Sequence, residues 1–180
     1  MASTVSISQP SFTGLADFAP SGFGQSFTAN GDYSIVAIDL YISSSSGGSD
    51  GTLRIYDFNS SLPALGTSIL GTGTFFEADL SLAPAWVRIT LLSPIVVTKG
   101  NEFAFTIVAK DPGGSATGWN NYGVNSSDVY PGGSRITVDP VTMKTTDLAF
   151  QVVTIPEPSI VGIAAVGLFI GINRRTRRRS

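Results

Sequence analysis

The run Val36-Ala37-Ile38-Asp39-Leu40-Tyr41-Ile42 decides the fold class. Val36, Ile38, Leu40 and Ile42 alternate with Ala37, Asp39 and Tyr41. A repeat of two puts successive side chains on opposite faces of a strand. One apolar face is therefore expected to turn toward a core. The residues beyond it, Ser43 to Gly51, are rich in Ser and Gly and read as a loop, and Asp50-Gly51 suits a tight turn into the next strand. The same grammar repeats along the chain. Thr52-Leu-Arg-Ile-Tyr-Asp57 places Leu53 and Ile55 inward. Trp86-Val-Arg-Ile-Thr-Leu91 separates Val87, Ile89 and Leu91 from Trp86, Arg88 and Thr90. Glu102-Phe-Ala-Phe-Thr-Ile-Val108 aligns Phe103, Phe105 and Ile107.

Between these runs the chain is broken by turn formers. Residues 59–66 turn with the help of Pro63, Gly71 and Gly73 interrupt the segment from Ser68 to Phe76, and Pro94 ends the Trp86 strand before Ile95-Val-Val97. Short strands are expected at residues 119–122 and 135–138, and a last one at residues 147–153. No stretch of residues 1–154 has helical periodicity. About eight to ten short antiparallel strands at this spacing indicate an all-β chain folded as a single β-sandwich, with a jelly roll preferred at this length. The domain expected to hold them spans residues 1–154, with enough volume for one core.

Composition narrows the function classes. Charged residues are 13% of the chain, which suits an exported β-protein. Residues 1–155 carry six Lys/Arg against twelve Asp/Glu, a net of −6, whereas residues 156–180 hold five Arg and one Glu. An acidic body argues against nucleic acid as a partner. Cysteine and histidine are both absent. Their absence removes thiolate nucleophiles, thiolate metal sites, the commonest general base and any Ser-His-Asp triad. The body is accordingly expected to be non-enzymatic and to need no cofactor.

The last residues, 155–180, have a different character. Pro156 and Pro158 bracket Glu157 and keep the peptide extended, because proline fixes φ and lacks an N–H. Ile160 to Ile172 follows without one polar side chain. As a helix these residues reach roughly 20 Å, short of the ~30 Å hydrocarbon core of a bilayer, so a span needs snorkelling flanks or local thinning. Arg174, Arg175, Arg177, Arg178 and Arg179 close the chain, and positive residues stay on the cytoplasmic side. A buried core helix and a plain stop-transfer anchor are the competing readings. A GPI signal would end in its hydrophobic tail, without the basic block.

In order and position, the three parts resemble a PEP-CTERM sorting signal. The resemblance covers only residues 155–180. It implies export in a Gram-negative-type bacterium, recognition of Pro156-Glu157-Pro158 by an exosortase, a transient membrane helix at residues 160–172, and transfer to the cell envelope or extracellular matrix, where exopolysaccharide is the associated material. An exported chain should begin with a secretory signal, and Met1 to Pro10 has neither a basic nor an apolar region of that kind. A start codon placed too late, a trimmed N-terminus and a protein that is not exported are the three explanations, and the first is favoured because tail and composition both point to export. The order of Gln25-Ser-Phe27, Ile38-Asp-Leu-Tyr-Ile42, Leu53-Arg-Ile-Tyr56, Trp86-Val-Arg-Ile-Thr90 and Asp147-Leu-Ala-Phe150 also resembles bacterial surface β-sandwiches and galactose-binding-like jelly rolls.

Three candidate sites stand out in the body. Trp119, Asn120, Asn121 and Tyr122, followed by Asn125 and Tyr130-Pro-Gly-Gly133, join aromatic rings to amides, as sugar binding requires. The plainer reading of these aromatics is core or rim of a sheet. Asp50, Asp57, Asn59 and Asp147 are oxygen donors for a structural calcium if their loops converge, though Asp and Asn also serve turns by local hydrogen bonding. Glu77 with Asp79, or Glu102, supplies carboxylates of the kind a glycosidase pairs, with solvated surface charge as the plainer account. Asn59-Ser-Ser61 and Asn125-Ser-Ser127 fit the N-glycan sequon, which carries no weight beside a bacterial sorting tail. The reading is an exported surface or matrix protein, with a carbohydrate-binding module as the alternative.

Overall fold

A computed structural model describes residues 2–17, 22–45, 49–109, 120–138 and 140–156. The membrane helix expected at residues 160–172, the terminal arginines, Glu157, Pro158 and Trp119 lie outside the described residues. Among those described, no helix is long and apolar enough to cross a membrane.

The described residues are all-β, in two antiparallel sheets. Its strands are β1 (Thr4–Gln9), β2 (Gly14–Asp17), β3 (Phe23–Thr28), β4 (Tyr33–Ser43), β5 (Gly51–Asn59), β6 (Ala64–Phe75), β7 (Ala85–Val97), β8 (Glu102–Ala109), β9 (Asn121–Asn125), β10 (Arg135–Val138), β11 (Val141–Met143), β12 (Asp147–Leu148) and β13 (Phe150–Pro156). The thirteen strands among the described residues exceed the expected eight to ten. The additions are short or edge pieces, such as β2, β11 and β1, whose period is too brief to read from sequence. A 3-10 turn at Glu77–Asp79 is the one helical element among the described residues.

The first sheet runs β1-β13-β4-β7, with β9 on the end of β4 and both β2 and β12 on β9. The second runs β6-β5-β8-β3-β10-β11. They join at a seam where β6 meets β7 through the single pair Gly73–Leu91. A Cβ at Gly73 would lie 2.7 Å from the Thr90 carbonyl oxygen, so the close crossing needs glycine. Gly71 and Gly73 therefore do not interrupt β6; they let it pass under β7.

Between the sheets lies one apolar core, including the fully buried Phe27, Phe105, Phe150, Ile38, Leu40, Leu53, Ile55 and Ile89. The expected inward residues Leu53, Ile55, Ile89, Leu91, Phe103, Phe105 and Ile107 are in it. Val36 is not. The ladder slips between Ile35 and Ala37, and a bulge of this kind reverses the alternation. Tyr33 and Ile35 face inward before the slip, and Ile38, Leu40 and Ile42 after it. Pro94 does not end β7 either. It sits in the irregular stretch between Thr90 (opposite Ala37) and Ile95 (opposite Ile35), where a missing N–H costs no ladder bond.

The two sheets are also tied by a polar knot. Asp147 is fully buried. Its Oδ1 accepts from Gln25 Nε2 at 2.8 Å, and its Oδ2 accepts from the backbone N–H groups of Val129 and Tyr130, both at 2.8 Å. Gln25 Oε1 accepts the N–H of Leu148 at 3.0 Å. One carboxylate thus joins β3 in the second sheet, β12 in the first, and the loop between β9 and β10. Buried polar groups are tolerable only when so satisfied.

Asp128, next to that loop's anchor, has its carboxyl pushed above the usual range. Desolvation is the main cause, followed by the charge of Asp147 and a hydrogen bond to it. A folded-state value above the unfolded one means stability that is present at low pH and lost as pH rises through the folded value. Asp128→Asn should therefore raise the thermal midpoint at neutral pH. The gain should shrink as pH falls below about 4, where the unfolded carboxyl also holds its proton. Thermal melts of the two proteins across pH 3–8 check this, and a midpoint unchanged or lowered by the substitution at pH 7 counts against it.

Candidate functional site

The outward face of the first sheet carries the site. Register sets it: with Leu40 and Ile42 pointing into the core, Asp39 and Tyr41 must point out. On β7 the partners directly opposite are Arg88 for Asp39 and Trp86 for Tyr41. Each outward pair is therefore cross-strand neighbours, the unit through which side chains on a sheet interact.

Tyr41 is the centre of an aromatic cluster. Phe12 stacks on its ring with centroids 4.4 Å apart at 28°, and Trp86 meets it edge-on at 5.5 Å and 62°. Offset and edge-on contacts of this kind are the favoured geometries for aromatic pairs. Tyr41 is half-buried, whereas Phe12 and Trp86 remain 42% and 40% exposed. Beneath the Tyr41 ring is Gly123 of β9. A Cβ there would stand 3.0 Å from the ring and 3.2 Å from Ala149 Cβ. Leu15, opposite Gly123 on β2, is 44% exposed and extends the apolar patch.

Beside the rings runs a polar row. Ser8, Gln151, Asp39 and Arg88 stand opposite one another across β1, β13, β4 and β7. Arg88 grips Asp39 with two bonds, Nε to Oδ1 at 2.8 Å and Nη2 to Oδ2 at 2.9 Å. Those bonds hold the Arg88 guanidinium above its ordinary value, with burial opposing them. The pair is internally neutral, and its fork geometry fixes both side chains. The face thus combines exposed ring surface with hydroxyl, amide and charged hydrogen-bonding groups.

The residues expected from sequence to form an aromatic site are placed otherwise. Trp119 is outside the described residues. Tyr122 is buried in the core, edge-on to Phe23 at 4.7 Å, and burial raises its hydroxyl well above the tyrosine range. Asn120 is buried and donates to the Ser49 carbonyl at 2.7 Å, while Asn121 starts β9 opposite Asp17 and Ser43. Asn125 is buried, donating to Ser11 Oγ and capping Ser127 N–H. The sequence did contain the signal for the real cluster, because Tyr41 and Trp86 each sit on the polar side of an alternating strand. What it lacked was the pairing that sets them opposite one another.

The calcium candidates are not brought together. Asp50 and Asn59 lie at opposite ends of β5, which at about 3.3 Å per residue separates them by nearly the length of the sheet. Asp50 accepts the Glu77 N–H, Asn59 caps the turn at Ser61 and Leu62, Asp57 is exposed, and Asp147 is the centre of the polar knot. Among the described residues no group of three carboxylates that could hold a metal ion occurs. Glu77 accepts from Ser44 Oγ in the 3-10 turn it shares with Asp79, and Glu102 is bound by Ser60.

Comparison with known proteins gives little. No family model matches the chain, and no curated protein matches it. Among solved structures, two crystal structures of a CocE/NonD family hydrolase from Staphylococcus aureus resemble it, with TM-scores of 0.38 and 0.37 and identities of 12% and 11%. They cover 80% and 81% of this chain, which itself spans about a third of theirs, 33% in each. Both neighbours are hydrolases, and the expectation of a non-enzymatic body is withdrawn on that finding. A likeness of this low score and identity assigns no reaction to the chain.

Proposed function

We propose that this chain is an exported module of the cell surface or extracellular matrix that binds neutral polysaccharide on the outer face of its first sheet. The Phe12–Tyr41–Trp86 cluster beside the Ser8–Gln151–Asp39–Arg88 row is the observation that carries the reading. Sugar rings present C–H faces that stack on exposed aromatics, and their hydroxyls pair with amides, carboxylates and guanidinium groups. Asp39 and Arg88 neutralise one another, so the face offers no free charge to an acidic polymer, and the acidic body repels one.

Export is supported by the tail. Pro156-Glu157-Pro158, the apolar run at residues 160–172 and the five terminal arginines keep the order of a PEP-CTERM signal, with an exosortase-type enzyme as the processing partner. The strand order, with crossings between sheets after β2, β3, β4, β6, β7, β8, β9 and β11, supports a jelly-roll variant.

Two measurements address the two halves. On an array of neutral and acidic polysaccharides the full chain should be retained by neutral members, and Trp86→Ala, at a half-exposed position, should weaken retention about tenfold or more while the protein still melts cooperatively. Binding confined to acidic polymers, or untouched by the substitution, contradicts the sugar-face reading. Separately, replacing Pro156, Glu157 and Pro158 by alanine should trap the protein in the membrane fraction of a host with an exosortase. Unchanged surface release would reduce the tail to an anchor.

A further inference from the structure

The outer face of the second sheet holds a different feature, a cavity of about 240 Å³. It is too small for a drug-sized ligand, for which several hundred Å³ is usual, and it has room for one small ring. Ser26, Thr28 and Glu102 point into it because their neighbours Phe27 and Phe103 point into the core. The end of β5 contributes Phe58 and Ser60, β11 contributes Met143, and the loop between β9 and β10 contributes Asp128, Tyr130 and Ser134.

The walls are held before any ligand arrives. Glu102 is clamped by Ser60, its Oε1 accepting from the hydroxyl at 2.6 Å and its Oε2 from the backbone N–H at 2.8 Å. The loop is bound to β3 by Ser26 N–H donating to the Ser134 carbonyl, Ser134 N–H donating to Ser26 Oγ, and Thr28 Oγ1 donating to the Gly132 carbonyl, all at 2.9–3.0 Å. Tyr130 is braced edge-on against Phe150 at 5.4 Å, and burial pushes its hydroxyl up to about 12. Preformed walls lower the ordering cost of binding.

The chemistry of the lining selects a class of ligand. It carries two carboxylates, Glu102 and Asp128, and no basic side chain. Hydroxyls surround them, and Tyr130 forms part of the wall. Carboxylates accept hydrogen bonds from ammonium and hydroxyl groups alike, and charge-assisted bonds are the stronger. A positive group would also offset the mutual repulsion of Asp128 and Asp147. We propose that this cavity binds a single hexose unit bearing a protonated amine, an unacetylated hexosamine. The site lies across the sandwich from the aromatic cluster and does not depend on it.

Titration of the full chain with glucosamine, glucose, glucuronate and ethanolamine, read by backbone amide shifts, tests this. Glucosamine should saturate shifts at Ser60, Glu102, Asp128 and Gly132. Glucose and ethanolamine should bind at least about tenfold more weakly, the worth of one charge-assisted bond, and glucuronate should not bind. Glu102→Gln, which keeps an oxygen for Ser60, should abolish the preference for glucosamine over glucose. The proposal is overturned if no shift saturates, if glucose or ethanolamine equals glucosamine, or if a folded Glu102→Gln protein binds glucosamine as tightly as wild type.

Discussion

A single buried carboxylate holds the two halves of this sandwich in relation to each other. Apolar packing between sheets is strong but carries no direction. It would tolerate small adjustments of one sheet over the other. Asp147 supplies the missing specificity. It accepts one bond from Gln25 on the facing sheet and two from the loop at Val129 and Tyr130. With those bonds in place the loop becomes a wall of the cavity, and Tyr130 stands edge-on to Phe150. Without them the buried Gln25 amide and two part-buried loop N–H groups would lose their acceptor together.

Much of this was legible along the chain, and the failures have physical causes. Alternation exposed the inward faces of β5, β7 and β8 because each is regular where it is apolar. It misplaced Val36 because a bulge reverses the period without any mark in composition. Pro94 looked like a terminator because proline breaks a ladder, yet an irregular stretch has no ladder bond there to break. Trp119 and Tyr122 drew attention as a local cluster, but binding surfaces on a sheet are assembled across strands. Phe12, Tyr41 and Trp86 are far apart in sequence and adjacent in space. Along the chain Gln25 reads as part of a strand pattern, and Asp147 as part of one and as a calcium donor. Their hydrogen bond spans 122 residues, and a single sequence carries no signal for it.

The two outer faces then differ in what they offer. The first sheet presents rings and a self-neutralised ion pair over a broad surface, suited to an extended, uncharged chain. The second presents a small acidic cavity with fixed walls, suited to one unit with a positive charge. Both arise from the same rule: inward residues are committed to the core, so every second residue of a strand is free for chemistry. The last strand, β13, runs to Pro156 opposite Tyr33, so the first two residues of the 155–180 segment belong to the sheet.

The most direct test of the account is the unfolding free energy of Asp147→Ala measured in urea against wild type. Three donors that lose their acceptor together should cost roughly 3–5 kcal/mol, lowering the midpoint while the slope stays the same. A loss below about 1 kcal/mol would contradict the account, because the knot at Asp147 would then be replaceable by water and the sheets would be held by apolar packing and the β6–β7 seam alone.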